Sequence, residues 1–148
     1  MRILLQRVSR AEVRAGGARL GAIEHGLVAL VGVGPSDDEA TADALARRVV
    51  ELRIFRDPAG RTNLAIADVA GSVLVVSQFT LYADTRRGRR PGFTGAADPG
   101  LAERLVERLA ASLGALGVRV ATGRFGAEME VELVNDGPFT IWLDSADR

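Results

Sequence analysis

Cysteine and lysine are both missing from this 148-residue sequence, and histidine occurs only once, at His25. Without cysteine there is no thiol nucleophile, no disulfide and no thiolate ligand for zinc or an iron–sulfur cluster. Without lysine there is no side-chain amine for Schiff-base chemistry and no P-loop lysine. An enzyme of this composition must use hydroxyls, carboxylates, arginine, backbone amides, bound water or groups of its own substrate.

Net charge and long apolar runs are missing as well. Nineteen acidic residues balance 19 arginines, so binding to nucleic acid or anionic lipid would need a local patch. No run approaches the roughly 18 apolar residues of a membrane-spanning helix, and the first residues do not form a signal peptide. We therefore expect a cytoplasmic protein without membrane contact, folded as a single domain over residues 1–148.

Short apolar runs and amphipathic stretches alternate along the chain and predict its fold class. The predicted strands are a hairpin-like pair between residues 3 and 23, two buried strands at 26–33 and 73–76, and three terminal strands at 118–120, 128–134 and 139–143. A helix follows each of the two buried strands. This order predicts an α/β fold with a mixed, barrel-like sheet and two helices packed on one side.

Capping residues predict where the two helices begin. Ser36 and Glu39 have the spacing of a capping box before the first helix, with acidic residues at its positive end. Asp98 is placed as the N-cap of the second helix, and Pro99 occupies its first position. Leucines recur there at four-residue spacing, so one face of the helix is apolar.

A long segment at residues 79–93 has no hydrophobic period and lies between the two strand–helix units. A loop of this length and composition is typical of a functional segment. Its arginines Arg86, Arg87, Arg89 and Arg90 form the only dense positive patch in the sequence. Such a patch suits bidentate phosphate contacts, and a solvated loop paired to nearby carboxylates is the alternative.

Polar side chains occur where the strand at 73–76 runs into this loop. Ser77, Gln78 and Thr80 are placed to meet a ligand, or they only satisfy the hydrogen-bonding groups of the loop backbone. His25 lies in a turn between two strands, where a histidine is more often a surface residue than a general base. A Ser-His-Asp triad is therefore not favoured.

Two further segments each have a structural and a functional interpretation. Residues 135–138, Asn-Asp-Gly-Pro, first indicate a hairpin turn, although a Gly–Pro bond can be cis at modest cost. Glu128, Glu130 and Glu132 alternate with apolar residues, as on a half-buried strand with one solvated face. That interpretation is favoured over a metal site, and we predict neither a metal ion nor a cofactor.

Three segments resemble the signature motifs of the D-aminoacyl-tRNA deacylase family: SQFTLYA at 77–83, RRP at 89–91 and NDGPFT at 135–140. The resemblance extends to residues 5–8 and 125–129 and to the strand–helix order, so it covers nearly the entire chain. Two long motifs in the correct order are more specific than a single tripeptide. Phe139 departs from the family pattern, which usually has Val there, and this affects the packing beside the proline.

The resemblance implies a homodimeric enzyme that hydrolyses the ester between tRNA and a D-amino acid or glycine. It implies an oxyanion hole of backbone amides around Phe79 and Thr80, and a pocket shaped by Ser77 and Gln78 and lined by Met129. Because an aminoacyl ester is labile, positioning and oxyanion stabilisation could suffice. Thr80 could be a nucleophile, orient water or support assistance by the ribose 2′-hydroxyl; the lack of an evident base favours the last.

The same resemblance assigns chiral selection to Gly137 and Pro138, which would enter the site of the partner subunit while Arg7 holds them from behind. A rigid main-chain wall senses where Cβ points and rejects L-aminoacyl-tRNA without reading the side chain. The arginines at 86–90 would bind tRNA. Two other classes stay open, namely a non-catalytic nucleic-acid-binding dimer that uses this loop, and a small-molecule-binding or acyl-transfer domain.

Overall fold

A six-stranded sheet forms the centre of the protein. The structure is a computed structural model, and it describes residues 1–147. A separate pair of short antiparallel strands lies on either side of a turn at residues 57–61. The elements are β1 (Arg2–Ala15), β2 (Ala18–Ile23), β3 (Gly26–Gly32), α1 (Glu39–Glu51), β4 (Phe55–Arg56), β5 (Thr62–Leu64), β6 (Ser72–Ser77), α2 (Pro99–Ala115), β7 (Arg119–Thr122) and β8 (Glu130–Asp144). Short 3₁₀ turns cover Ala67–Val69 and Phe79–Tyr82.

The sheet combines antiparallel and parallel pairing. Its strand order is β2-β1-β3-β6-β7, and β8 pairs with the other edge of β1. The strands β3, β6 and β7 are parallel to each other, and the remaining pairs are antiparallel. Parallel neighbours need crossover connections, and α1 and α2 lie in these two crossovers. The predicted mixed sheet with two strand–helix units is thus confirmed.

The two faces of the sheet are covered by different elements. One face packs against both helices, where Ile3 and Val31 of the sheet share a buried cluster with Leu45 and Leu109. The other face carries a smaller cluster that includes Val28. Contacts between β2 and both β6 and β7 curl the sheet over this second cluster, which produces the barrel-like shape predicted from the sequence.

The C-terminal strand corrects two predictions. Residues 130–144 form one continuous strand, so the chain ends in two strands, β7 and β8, instead of three. Residues 135–138 are not a hairpin turn; they form a bulge at which the pairing with β1 steps from Gln6–Thr140 to Val8–Asn135. The 14-residue strand β1 pairs with β8 on both sides of this bulge, so the chain keeps its direction. The Gly137–Pro138 peptide bond is cis.

The N-cap prediction is correct for one helix and wrong for the other. The Asp98 carboxylate accepts hydrogen bonds from the first amides of α2, as predicted. For α1 the cap is Asp38, not Ser36. Asp38 accepts hydrogen bonds from the hydroxyl and, at 2.8 Å, the backbone amide of Thr41, and these bonds lower its pKa. One carboxylate therefore satisfies two donors at the positive end of the helix.

Candidate active site

The candidate site begins where β6 leaves the sheet. The amide of Gln78 still donates to a β3 carbonyl, at 2.7 Å, and the Phe79–Tyr82 turn follows. The first bond of this turn runs from the Leu81 amide to the Gln78 carbonyl, at 3.2 Å. A 3₁₀ turn leaves its first amides without an internal acceptor. The N–H groups of Phe79 and Thr80 are therefore available to a ligand.

A cavity of about 530 Å³ opens beside this turn, between the end of β6, the start of α2 and the segment before β8. Four residues singled out from the sequence line it: Ser77, Gln78, Phe79 and Met129. Thr80 is exposed next to them, and its hydroxyl accepts a hydrogen bond from the Gln78 side chain. The fold thus brings the first motif together with Met129, which lies about fifty residues further along the chain.

Sequence reasoning missed several residues of the cavity wall. They are Phe93, Ala96, Ala97, Pro99, Ala102 and Phe125. The rings of Phe79 and Phe93 meet edge to face, with centroids 4.9 Å apart. A signal was present, because the sequence has only five phenylalanines and three of them line this cavity. In a chain so poor in aromatics, a phenylalanine outside a predicted strand or helix is a candidate pocket residue.

Met129 occupies its place because residue 123 is glycine. A Cβ atom at Gly123 would lie 2.7 Å from the Met129 sulfur, well inside van der Waals contact. The thioether therefore packs directly on the backbone between β7 and β8. Any larger residue at position 123 would displace the Met129 side chain from its present place in the wall of the cavity.

The only histidine lies at the opposite end of the sheet. His25 precedes Gly26, the first residue of β3, and Gly26 pairs with Ser72 of β6. Ser77, on the wall of the cavity, lies five residues further along β6. Five residues of a strand span roughly 16 Å. His25 packs edge to face on Phe55, with ring centroids 5.2 Å apart. It is too far from Thr80 to act as its general base.

The bulge at residues 135–138 is held by Arg7, whose side chain is only 2% exposed. Its Nε donates to the carbonyl oxygen of Asp136 at 3.1 Å, and it also lies 3.2 Å from the Asp136 carboxylate. The guanidinium packs over the ring of Phe139, 4.8 Å from its centroid. A Cβ atom at Gly137 would lie 3.1 Å from Arg7 Nη2. Arg7 therefore supports the bulge closely from behind.

The bulge is distant from the cavity of its own chain. It lies opposite Arg7, whose neighbours across the sheet are Leu27 on β3 and Val73 on β6. Ser77, on the wall of the cavity, lies four residues further along β6. Three strand spacings and four residues of strand correspond to roughly 20 Å along the sheet. Gly137 and Pro138 thus line no part of the cavity in the same chain.

The arginine-rich loop is exposed, and its four arginines are not equivalent. Arg86 forms a bidentate pair with Asp84, at 2.9 and 2.8 Å. Hydrogen bonds from the Arg86 side chain and backbone lower the pKa of Asp84 to about 2. Arg87, Arg89 and Arg90 form no salt bridge within residues 1–147. Three of the four guanidinium groups are therefore open to an external anion.

A family model described as D-Tyr-tRNA(Tyr) deacylase matches residues 4–144. This chain belongs to that family. A D-aminoacyl-tRNA deacylase of Thermomicrobium roseum is 59% identical over 99% of this chain and 96% of its own length. The D-aminoacyl-tRNA deacylase of Lacticaseibacillus casei is 57% identical over 98% of both chains.

Two solved structures share the D-aminoacyl-tRNA deacylase fold of this chain. One is described as c-Myc DNA Unwinding Element Binding Protein, with a TM-score of 0.90, 34% identity and coverage of 97% of this chain and 98% of that one. The other, a probable eukaryotic D-amino acid tRNA deacylase, has a TM-score of 0.83 over 96% and 97% of the chains, but at 16% identity it supports the fold alone.

The family assignment determines the reaction. The protein is a hydrolase that cleaves the ester bond between a D-amino acid and tRNA, and aminoacylated tRNA is its substrate. The lack of cysteine and lysine agrees with this chemistry, because neither is needed for hydrolysis of a labile ester. Within residues 1–147, no helix has the length and apolar character needed to cross a membrane.

Proposed function

We propose that this deacylase acts in the cytoplasm as a homodimer and that each active site takes parts from two chains. The enzyme cleaves glycyl-tRNA as well as D-aminoacyl-tRNA, and it spares L-aminoacyl-tRNA. The observation that carries the proposal is the separation of roughly 20 Å between the Arg7-supported bulge and the cavity of the same chain. A second copy is the simplest source of a backbone wall at the cavity.

A half-exposed apolar row supports docking of a second copy. It crosses the sheet through the paired residues Trp142, Leu4, Leu30 and Val76. Exposure falls from 45% at Trp142, on the free edge of the sheet, to 2% at Val76, which also lines the cavity. An exposed tryptophan on an unpaired strand favours association. A partner chain that covers this row would bring its own bulge towards the cavity.

The proposed chemistry relies on positioning. Water attacks the ester carbonyl, and the negative charge that forms on the carbonyl oxygen is stabilised by the free amides of Phe79 and Thr80. The bond to the ribose oxygen then breaks, and that oxygen receives the proton that the water has lost. The 2′-hydroxyl of the same ribose relays this proton, because the one histidine is too far away. Gln78 and Thr80 orient the groups in the site.

Chiral selection follows from the backbone wall. The partner's bulge, supported by Arg7, faces the α-carbon of the bound amino acid and leaves no room for Cβ in the L-configuration. A D-amino acid directs Cβ into the cavity beside Met129 and Phe79. Glycine has no Cβ to exclude, so its ester enters the same site. A wall made of backbone recognises configuration while tolerating many side chains.

The exposed loop supplies the contacts to tRNA in this proposal. Arg87, Arg89 and Arg90 bind backbone phosphates, whereas Arg86 is already paired with Asp84. A second candidate function, beside deacylation, is binding of other nucleic acid through the same loop. It is favoured by the similarity to the protein described as a DNA-unwinding-element-binding protein. Release of amino acid from charged tRNA measures the first function, and binding of DNA measures the second.

Mixing two defective variants tests the shared site. Met129→Trp fills the cavity, and Gly137→Val forces a side chain against Arg7 and Phe139. Each variant alone should lose the hydrolysis of D-aminoacyl-tRNA. After subunit exchange, half of the dimers are mixed and each mixed dimer holds one intact site, so about a quarter of the wild-type activity should return.

The activity of the mixture distinguishes a site shared between two chains from a site within a single chain. If each bulge served its own chain, neither variant could supply an intact site and the mixture would stay inactive. Sedimentation of the mixture verifies that both variants still associate. Wild-type protein is assayed in parallel on D-, L- and glycyl-tRNA. Hydrolysis of the L-substrate, or no hydrolysis of the glycyl ester, would contradict the proposed wall.

A further inference from the structure

A network of contacts holds the Phe79–Tyr82 turn from the side opposite the cavity. Arg2, the first residue of β1, donates from Nη1 to the carbonyl oxygen of Leu81 at 3.0 Å. Its Nε donates to the Asp144 carboxylate, at the end of β8, at 2.9 Å. Its guanidinium carbon lies 4.3 Å from the centroid of the Tyr82 ring. One side chain therefore joins the ends of β1 and β8 to this turn.

The Tyr82 ring is fixed on its other sides as well. Its hydroxyl lies 3.4 Å from the carboxylate of Asp37, which accepts a hydrogen bond from the Gly34 amide at 2.6 Å. A Cβ atom at Gly34 would approach the Tyr82 hydroxyl to 2.8 Å, and one at Gly32 would approach the Leu81 side chain to 3.1 Å. The back of the turn thus lies directly on the end of β3, without space for a larger residue there.

We propose that Arg2 is a positioning residue for the deacylation reaction. By fixing the Leu81 carbonyl and the Tyr82 ring, it sets the direction of the Phe79 and Thr80 amides at the front of the same four-residue turn. This inference rests on the proposed function, in which these amides stabilise the oxyanion.

Such a turn needs external support to be precise. A 3₁₀ turn of four residues has poor hydrogen-bond geometry and little stability of its own. The Phe79 side chain is 56% exposed, and the loop beyond the turn is closed by a single bridge between Asp84 and Gly92. Oxyanion donors must be held within about 0.5 Å of the productive geometry. Arg2 contacts the packed side of the turn, so it can keep the Phe79 and Thr80 amides in this geometry.

Because of its position, Arg2 should affect the chemical step and not the binding of the substrate. Arg2 does not line the cavity, and neither do Asp144 and Tyr82. Loss of the Arg2 contacts should therefore change the rate of the chemical step and leave the affinity for the substrate nearly unchanged. A purely structural residue would lower the stability of the protein without this split between kcat and KM.

The test compares Arg2→Met with Arg10→Met in the full-length protein. Methionine keeps the aliphatic stem and removes the guanidinium contacts with Leu81, Asp144 and Tyr82, together with the one to the Trp142 ring, whose centroid lies 5.8 Å away. Arg10 lies on the same strand, is 61% exposed and pairs with Glu132 at 3.3 Å, so its replacement is the matched control. We expect kcat on D-aminoacyl-tRNA to fall about tenfold or more in Arg2→Met with KM within about twofold, because small displacements of catalytic groups are costly.

Two conservative variants make the result decisive if Arg2→Met does not fold. Arg2→Lys keeps the charge, and Asp144→Asn leaves Arg2 with a weaker partner; each should lower kcat less than Arg2→Met and leave KM unchanged. Wild-type kcat in folded Arg2→Met, or wild-type kcat in both conservative variants when Arg2→Met is unfolded, would overturn the inference. The Met129→Trp variant tests the proposed site independently of Arg2. Wild-type activity in Met129→Trp would contradict the proposed site, whereas wild-type kcat in the Arg2 variants alone would contradict only the role of Arg2.

Discussion

Replacing Arg7 with methionine should weaken the fold by an amount that the structure allows us to estimate. The Arg7 guanidinium is 2% exposed and donates to the carbonyl oxygens of Ile54, at 2.5 Å, and Asp136, at 3.1 Å. Hydrogen bonds from a charged donor contribute about 1.5–3 kcal/mol each. The Asp136 carboxylate is 42% exposed, so water solvates it after the change and no buried charge is left unpaired.

Two such bonds give a loss of about 3–6 kcal/mol in the free energy of unfolding. Methionine keeps part of the packing on Phe139, which offsets part of this loss, and domains of this size have about 5–15 kcal/mol to lose, so we expect the variant to be folded in the absence of urea. Urea unfolding followed by fluorescence of Trp142, the only tryptophan, measures the change. Protein concentration has to be held constant, because association adds to apparent stability.

The substitution should also lower the selectivity of the enzyme for D-substrates. With its support gone, the bulge around Gly137 can retreat, so the ratio of L- to D-aminoacyl-tRNA hydrolysis should rise even where the protein is fully folded. A loss below about 1 kcal/mol would refute the energetic argument, because the buried guanidinium would then contribute no more than a surface pair. A stable variant with unchanged selectivity would refute the role of Arg7 in supporting the wall.

Three further predictions concern the loop, the single tyrosine and the chemistry. Reversing the charge of Arg87 and Arg90 should weaken tRNA binding and flatten its salt dependence, whereas Arg86→Glu should have a smaller effect because Arg86 is paired already; equal losses would contradict this. Burial and the nearby Asp37 raise the pKa of Tyr82 to about 12. Its neutral form is therefore favoured by folding, and this contribution to stability is complete below pH 10 and is lost as the pH rises through 12. Because Tyr82 is the only tyrosine, tyrosinate absorbance measures it directly, and titration near 10 in the folded protein would refute the assignment. Finally, Thr80→Ala should keep measurable activity while a substrate ending in 2′-deoxyadenosine loses most of it; single-turnover assays that gave the reverse would make Thr80 the chemical centre.

Helices and buried strands could be predicted because their signals are local. The four-residue leucine spacing of α2 and its Asp98 cap are properties of neighbouring residues. The continuous apolar runs of β3 and β6 likewise indicate strands that are covered on both faces. The cap of α1 was misplaced by two residues, because Ser36 and Asp38 are both good caps and only backbone geometry selects between them.

The course of the C-terminal strand depends on a distant segment. Asn-Asp-Gly-Pro reverses a chain when nothing holds the residues on either side of it. Here β1 pairs with β8 before and after residues 135–138. The hydrogen bonds to β1 outweigh the local turn preference, and the segment becomes a bulge. No pattern within the segment itself could have indicated this result.

The sequence by itself determined the family, the reaction and the residues at the end of β6, because Ser77, Gln78, Phe79 and Thr80 are contiguous and their motif is specific. Only the tertiary structure decided which distant residues join them. Packing places Phe93 and Phe125 in one cavity, and β-pairing places the Arg7-supported bulge roughly 20 Å from it. The physical reason is that periodicity and caps are short-range properties, whereas cavities and ion pairs arise from long-range contacts.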